Sequence, residues 1–260
     1  MDFYRITYTL SKRIGVISLN WPEKQNALDD QMVAELTQAF IQTQRDSNVK
    51  AVILRAEGDV FCSGIEHSYL QRISSYDFNQ NLQDSTDLMK LYQQIYTLRK
   101  PVIALVQGEA IAGGSGLASI CDFIIAARET AKFGFTETKI GFIPAIVLIF
   151  LVRRIGEGRA RELVLRGNIL DAEESLKLGL ISKVVPSIEL EDSGNQLANE
   201  LIVNNSGTSM GLMKELLARV YGMETSDALD YASHLNALTR MTDDCKRGIE
   251  AFLNSKPIKW

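Results

Sequence analysis

Short β-rich runs alternate with helix-patterned segments along most of this 260-residue chain, and that alternation constrains the fold more than any other feature. Residues 3–10 alternate around Tyr4, Ile6 and Tyr8, and Ile14–Leu19 follows the polar Ser11-Lys12-Arg13. This pattern predicts an opening hairpin, ended by Trp21-Pro22. Asp29 or Asp30 can cap a helix carrying Met32, Val33, Leu36, Phe40 and Ile41 mostly three and four positions apart, after which residues 49–54 return as a strand. The pattern then repeats as a helix near 82–98, a strand at 102–106, a glycine-rich turn, a short helix ending near Cys121 and a strand at 123–127. Short apolar strands buried on both faces favour a mainly parallel α/β arrangement. From about Asp192 strand signals stop, and helical segments follow around 197–203, 210–221 and 228–238, with a last one ending near Leu253. The expected division is a core over residues 1–191 and a helical region over 192–260.

Composition narrows the partners. A 46% hydrophobic content can supply a sizeable core and argues against disorder. Lys+Arg 28 against Asp+Glu 32 gives a net charge of -4, which leaves no basic excess for a nucleic-acid groove. Cys62, Cys121 and Cys245 are scattered and odd in number, and His67 and His234 stand at no metal-like spacing. No metal is expected, and a reducing cytoplasm is the simplest compartment. The opening residues lack a basic segment followed by an apolar stretch, so no secretory signal is expected. The longest apolar run, 140–152, contains Gly141 and Pro144 and falls short of the roughly 20 residues a bilayer requires. It is expected in the core or at a subunit interface, and no membrane role is expected.

Two turns combine small residues with a following helix. One is Phe61-Cys62-Ser63-Gly64-Ile65-Glu66; the other is Gly108-Glu109-Ala110-Ile111-Ala112-Gly113-Gly114-Ser115-Gly116-Leu117, directly after a strand. Each places free backbone N–H groups at a helix start, where donors and dipole together favour an anionic oxygen. Two such donors converging on one oxygen would form an oxyanion hole. Taken alone, glycine after a strand more often serves a sharp turn or close packing. Neither turn has the spacing of a dinucleotide or triphosphate loop.

These turns lie between Asn20-Trp21-Pro22-Glu23-Lys24-Gln25-Asn26-Ala27-Leu28 and Phe133-Gly134-Phe135-Thr136-Glu137-Thr138-Lys139-Ile140-Gly141-Phe142-Ile143-Pro144. In that order the motifs strongly resemble the enoyl-CoA hydratase/isomerase (crotonase) superfamily. The likeness continues through Ile155-Gly156, Ala172-Glu173-Glu174, Gly179-Leu180-Ile181 and Val184-Val185-Pro186 to Gly248-Ile249-Glu250-Ala251-Phe252. The resemblance implies an α/β spiral of β-β-α turns with a C-terminal helical trimerisation region, assembled as homotrimers or homohexamers. It implies an acyl-CoA substrate, coenzyme A being part of the substrate and no separate cofactor being needed. A thioester on an acyl-carrier protein would carry the same phosphopantetheine arm.

Carried over by motif, the N–H groups of Ile65 and Gly113 bind the thioester oxygen. Lys24, Ala27, Ser63, Gly64, Ile65 and Glu66 hold coenzyme A, and Phe252 matches an aromatic that serves a neighbouring subunit. Glu137 matches one of the two glutamates frequent in family hydratases, whereas Gly116 stands where the other is usual. A glutamate among apolar neighbours is a candidate acid/base with a raised pKa. With one carboxylate, moving a double bond is the simplest chemistry, because one group can take and return the same proton. The finer resemblance, to a branch that includes 3-methylglutaconyl-CoA hydratases, ranks hydration first and isomerisation second, with a non-catalytic binding subunit as a further alternative. His67 is expected on a helix surface, Cys62 and Cys121 as small core residues, and Lys139, Arg153 and Arg154 mainly as helix-end caps.

Overall fold

The computed structural model describes residues 3–260. It opens with a hairpin of β1 (Ile6–Ser11) and β2 (Ile14–Leu19), joined through Lys12 and Arg13, both at positive φ, as a tight twisted hairpin turn requires. The strand starts three residues later than the alternation predicts. The Tyr4 and Arg5 N–H groups donate instead to the Glu35 carboxylate, at 3.0 and 2.8 Å, so this stretch is satisfied by a side chain rather than by a ladder.

Glu35 lies on α1 (Asp30–Arg45), whose cap is Asp29: its Oδ1 accepts from the Met32 N–H at 2.7 Å. Next come β3 (Ala51–Ala56), α2 (His67–Ile73) and α3 (Phe78–Thr97). The last begins four residues before the apolar pattern suggests, because Asp77 and Gln80 form a reciprocal capping box. Two β-β-α units follow. The first is β4 (Val102–Val106), β5 (Glu109–Ile111) and α4 (Gly113–Ser119); the second is β6 (Phe123–Ala127), β7 (Lys132–Gly134) and, after a 3-10 turn at Glu137–Ile140, α5 (Ala145–Ile155). Then come α6 (Glu157–Arg166), β8 (Ile169–Asp171), α7 (Ala172–Leu178) and β9 (Lys183–Val185). Four helices close the chain: α8 (Leu190–Asn204), α9 (Gly207–Val220), α10 (Thr225–Met241) and α11 (Asp243–Leu253).

The main sheet has the order β1-β2-β3-β4-β6-β9, parallel except for the β1–β2 hairpin. Its central strands, β3 and β4, carry Val52, Ile53, Leu54 and Val102 to Val106, all buried. That explains their unbroken apolar runs. A second sheet has the order β5-β7-β8, and its three-residue strands are too short to give a periodic sequence signal. Each β-β-α unit therefore lays one strand in each sheet before the chain turns into a helix. This ties the glycine-rich turn after β5 to the segment after β7, since β5 and β7 pair in parallel with Ile111 opposite Gly134.

The 140–152 run divides by face. Val147 and Leu151 are buried, while Ile140, Phe142, Ile143 and Ile149 are exposed on the single chain. Among the described residues, no helix is long and apolar enough to cross a membrane.

Candidate active site

The two small-residue turns meet. Leu28 forms an isolated parallel bridge with Ile65, in which the Leu28 N–H donates to the Gly64 carbonyl and the Glu66 N–H donates to the Leu28 carbonyl. In this geometry Ile65 keeps its own N–H outside the pairing. Cys62 bridges Ala110 in the same way, so the first turn is laced to the start of the second. Gly114 makes this approach feasible: a Cβ there would lie 2.0 Å from the Cys62 carbonyl oxygen. Gly64, at φ +99°, faces the second turn, and a Cβ on it would stand 3.1 Å from the Ala112 Cβ and 3.7 Å from the Gly113 nitrogen.

Gly113 opens α4, so its N–H belongs to the helix's first turn and has no intrahelical acceptor. Neither the Ile65 nor the Gly113 N–H donates to an acceptor among the described residues. Two unpaired donors are thus presented by turns in direct contact. Ala112, immediately before Gly113, has φ 51° and ψ -120°, a left-handed conformation that costs a non-glycine residue about 1–3 kcal/mol and marks stored strain.

Glu137 heads the 3-10 turn three residues after Gly134, whose carbonyl accepts from the Ala112 N–H at 2.7 Å. The residue is only 6% exposed, and its buried Oε2 has no hydrogen-bond partner among the described residues. Burial raises its pKa above the ordinary carboxylate value, partly opposed by a bond from its own backbone N–H. A buried carboxyl without a cationic neighbour can hold a proton that a surface glutamate would lose.

Gly116, at the place expected for a second glutamate, faces a filled space. A Cβ there would lie 2.4 Å from Val147 Cγ2 and 3.1 Å from the Tyr92 hydroxyl. The vacated volume is therefore occupied by α5 and α3. Val147 lies on α5, and only the fold brings it against Gly116.

Glu66 is the contrasting acid. It caps α2 by accepting from the Tyr69 N–H at 2.8 Å, receives the Ser68 hydroxyl and pairs with Lys24 Nζ at 3.0 Å. The Ser68 and Lys24 bonds, outweighing burial, lower its pKa to about 2. Lys24 and Glu66 also rim a cavity of about 490 Å³ with Arg5, Trp21, Tyr69 and Arg72. Sequence reasoning found Lys24 and Glu66 but missed the two arginines, which carry no local motif. Ala27 is buried, its N–H donating to the Lys24 carbonyl; Ser63 is held by a bond from its N–H to the Gln25 carbonyl at 3.1 Å. Backbone hydrogen bonds and the Lys24–Glu66 pair thus tie the segments holding Lys24, Ala27, Ser63, Gly64, Ile65 and Glu66 together, and Gly64 abuts Gly113.

Phe252 is not part of this group; it lies 83% exposed on α11. His67 is exposed at the start of α2, and Cys62 and Cys121 are buried, their thiols pushed up to about 12 by desolvation. Arg154 is committed to the carbonyls of Ser119, Cys121 and Leu180, and Arg153 lies over the rings of Tyr96 and Tyr221. No group of three or more His, Cys, Asp or Glu among the described residues could hold a metal.

Residues 9–260 match the family model described as enoyl-CoA hydratase/isomerase. A Thermus thermophilus protein provisionally named an enoyl-CoA hydratase is 38% identical over 247 residues, covering 95% of this chain and 97% of its own. The mitochondrial enoyl-CoA hydratase of Pongo abelii is 34% identical over 94% of this chain and 82% of its own. The crystal structure of an enoyl-CoA hydratase from Shewanella pealeana superposes with a TM-score of 0.93 at 28% identity, covering 100% of this chain and 97% of the other. The architecture is the α/β crotonase fold, C-terminal helices included, and the chain is an enzyme belonging to the enoyl-CoA hydratase/isomerase family.

Proposed function

We propose that this enzyme hydrates an α,β-unsaturated acyl-CoA, and carries out the reverse dehydration, with Glu137 as its single proton-transfer residue. The observation that carries the proposal is the buried Glu137 carboxylate, with an unpartnered oxygen, beside a turn whose Gly113 N–H is unpaired. The thioester oxygen accepts from the Ile65 and Gly113 N–H groups, which bear the negative charge as it develops. Water attacks C3 and the C2–C3 π electrons move toward the thioester oxygen, giving the enolate. Glu137 takes the proton lost by the water and delivers it to C2, so H and OH are added and the carboxylate is regenerated. Burial helps here, since a raised pKa lies nearer the operating pH of a group that must both accept and release a proton.

Lys24, Ala27, Ser63, Gly64, Ile65 and Glu66 form the coenzyme A wall in this reading. The exposed Phe252 reaches the coenzyme of a neighbouring subunit in a homotrimer or a pair of trimers, with residues 192–260 supplying the subunit contacts. A 3-methylglutaconyl-like acyl group is the substrate of choice for the test, alongside an unbranched one.

A second reading, Δ3-Δ2 isomerisation, is favoured by one observation: Gly116 contributes no second carboxylate, and Val147 and Tyr92 fill the space. The deciding experiment incubates the enzyme with crotonyl-CoA, 3-methylglutaconyl-CoA and a 3-enoyl-CoA in deuterated water and follows product mass and deuterium position. Net gain of water by either 2-enoyl thioester is the expected result. Double-bond migration without water establishes the isomerase, and inertness toward all three removes the hydratase proposal.

A further inference from the structure

We infer that Tyr92, on α3, is a positioning residue for the second turn: its hydroxyl donates to the Gly113 carbonyl and so holds the Gly113–Gly114 peptide, which follows directly on the one that carries the Gly113 N–H. The inference rests on the reading of the Ile65 and Gly113 amides as thioester-oxygen donors. Tyr92 is fully buried, yet the inner face of α3 otherwise presents the apolar Leu91 and Ile95 to the core. A phenol in such a place needs a partner, because an unpaired buried hydroxyl is costly. The partner it takes is the Gly113 carbonyl, at 2.8 Å.

Geometry gives this bond its consequence. Ala112 is held in a left-handed conformation immediately before Gly113, and the strain would relax if the turn were free to rotate. Three other contacts oppose that rotation: the Ala112 N–H to the Gly134 carbonyl, the Gly116 N–H to the Ala112 carbonyl at 3.0 Å, and Ser115 Oγ between Ala110 and Gly134. None of the three reaches the Gly113 carbonyl, which otherwise has only the ladder of its own short helix. Tyr92 supplies that fourth point from a separate helix. Its oxygen also lies 3.1 Å from where a Gly116 Cβ would stand, so the absence of a side chain at 116 is what lets the hydroxyl reach the turn. Burial, with the Glu137 charge among the lesser contributors, pushes the phenol pKa well above its ordinary value, and the hydroxyl stays a donor throughout the working pH range.

The test compares the full-length enzyme with Tyr92→Phe, which keeps the ring and its packing and removes only the hydroxyl. The probe is hexanoyl-CoA labelled with ¹³C at the thioester carbonyl, a saturated ligand that does not turn over, observed by infrared difference spectroscopy. In the unsubstituted enzyme the bound carbonyl band moves to lower frequency; in Tyr92→Phe it returns part of the way toward the free-ligand position. For a 2-enoyl thioester kcat falls about tenfold, less than the 10²-fold or more typical of deleting a donor outright, while KM stays within about twofold. Replacing Tyr92 by 3-fluorotyrosine, a stronger donor of nearly the same shape, moves the band further down and keeps the test valid if Tyr92→Phe folds poorly. An equally polarised band in all three proteins overturns the role of Tyr92 while leaving the donor assignment standing. A band at the free-ligand position in the unsubstituted enzyme overturns the donor assignment and this inference with it.

Discussion

The two turns that meet beside Glu137 reach similar ends by different means. In the first, the donor is a β-branched residue, Ile65, oriented by a single β-bridge to Leu28, and the adjoining acid, Glu66, is tied to Ser68, Lys24 and the Tyr69 N–H. In the second, the donor is Gly113, set by a strained Ala112 and packed so closely that Gly114 and Gly116 have no room for a methyl group. The acid reached through the second turn, Glu137, has an oxygen with no partner among the described residues. Both acids are buried. Partnering decides whether a buried carboxylate serves as scaffold or stays free to exchange a proton.

The contrast is broken most severely at Gly114. Gly114→Ala puts a methyl group 2.0 Å from the Cys62 carbonyl and forces the two turns apart. We expect a loss of about 3 kcal/mol of stability by chemical denaturation, the upper range for overpacking, and loss of turnover in the folded fraction. Ile65→Ala, the matching change in the tolerant turn, keeps the N–H and should cost only about 1 kcal/mol, with turnover retained. Equal effects at the two positions would erase the distinction.

A smaller effect tests the filled space at Gly116. Gly116→Glu drives its Cβ into Val147 Cγ2, which stands 2.4 Å from that position, and should destabilise by about 2 kcal/mol. Val147→Gly opens the space at its own cost. In the double variant the two penalties should fall short of their sum by about 1 kcal/mol, and strict additivity would show that the residues do not share a volume.

The smallest effects are pH dependences of opposite sign. Glu66 has its folded pKa lowered from the ordinary 4.5 to about 2, so its stabilising contribution is present above pH 4.5 and is lost as the pH falls toward 2. The deficit in melting temperature of Glu66→Gln should therefore be widest above pH 4.5 and close on acidification. Glu137 has its folded pKa raised, so the stability associated with its protonated form is complete below 4.5 and is lost as the pH rises through the raised value. Glu137→Gln should gain on the unsubstituted enzyme as the pH is taken from 4 to 7. Parallel pH profiles for the two variants would contradict the assigned difference in partnering.

Much of this was legible in the sequence. The main-sheet strands at 14–19, 102–106 and 123–127 announce themselves by apolar runs bounded by polar or glycine punctuation, and the four closing helices by their spacing. Lys24, Gly64, Ile65, Gly113 and Glu137 stand in ordered motifs, and the fold brings these segments together. The second sheet was hidden, because strands of three residues have no measurable period. Tyr92 was hidden for another reason: its hydroxyl meets Gly113 across 21 positions of sequence, and a tyrosine on an apolar helix face looks like packing until its partner is seen. Val147 against Gly116 was equally invisible, since the two positions are far apart in the chain and only the fold brings them into contact.

The central claim is that Glu137 moves the proton while the two turns hold the thioester. Its most direct test measures turnover of crotonyl-CoA and 3-methylglutaconyl-CoA by Glu137→Gln together with binding of hexanoyl-CoA by calorimetry. The account predicts a fall in turnover of about 10³-fold, within the range for loss of a general acid/base, and a dissociation constant changed by less than about threefold. Turnover preserved in the Gln variant would contradict it.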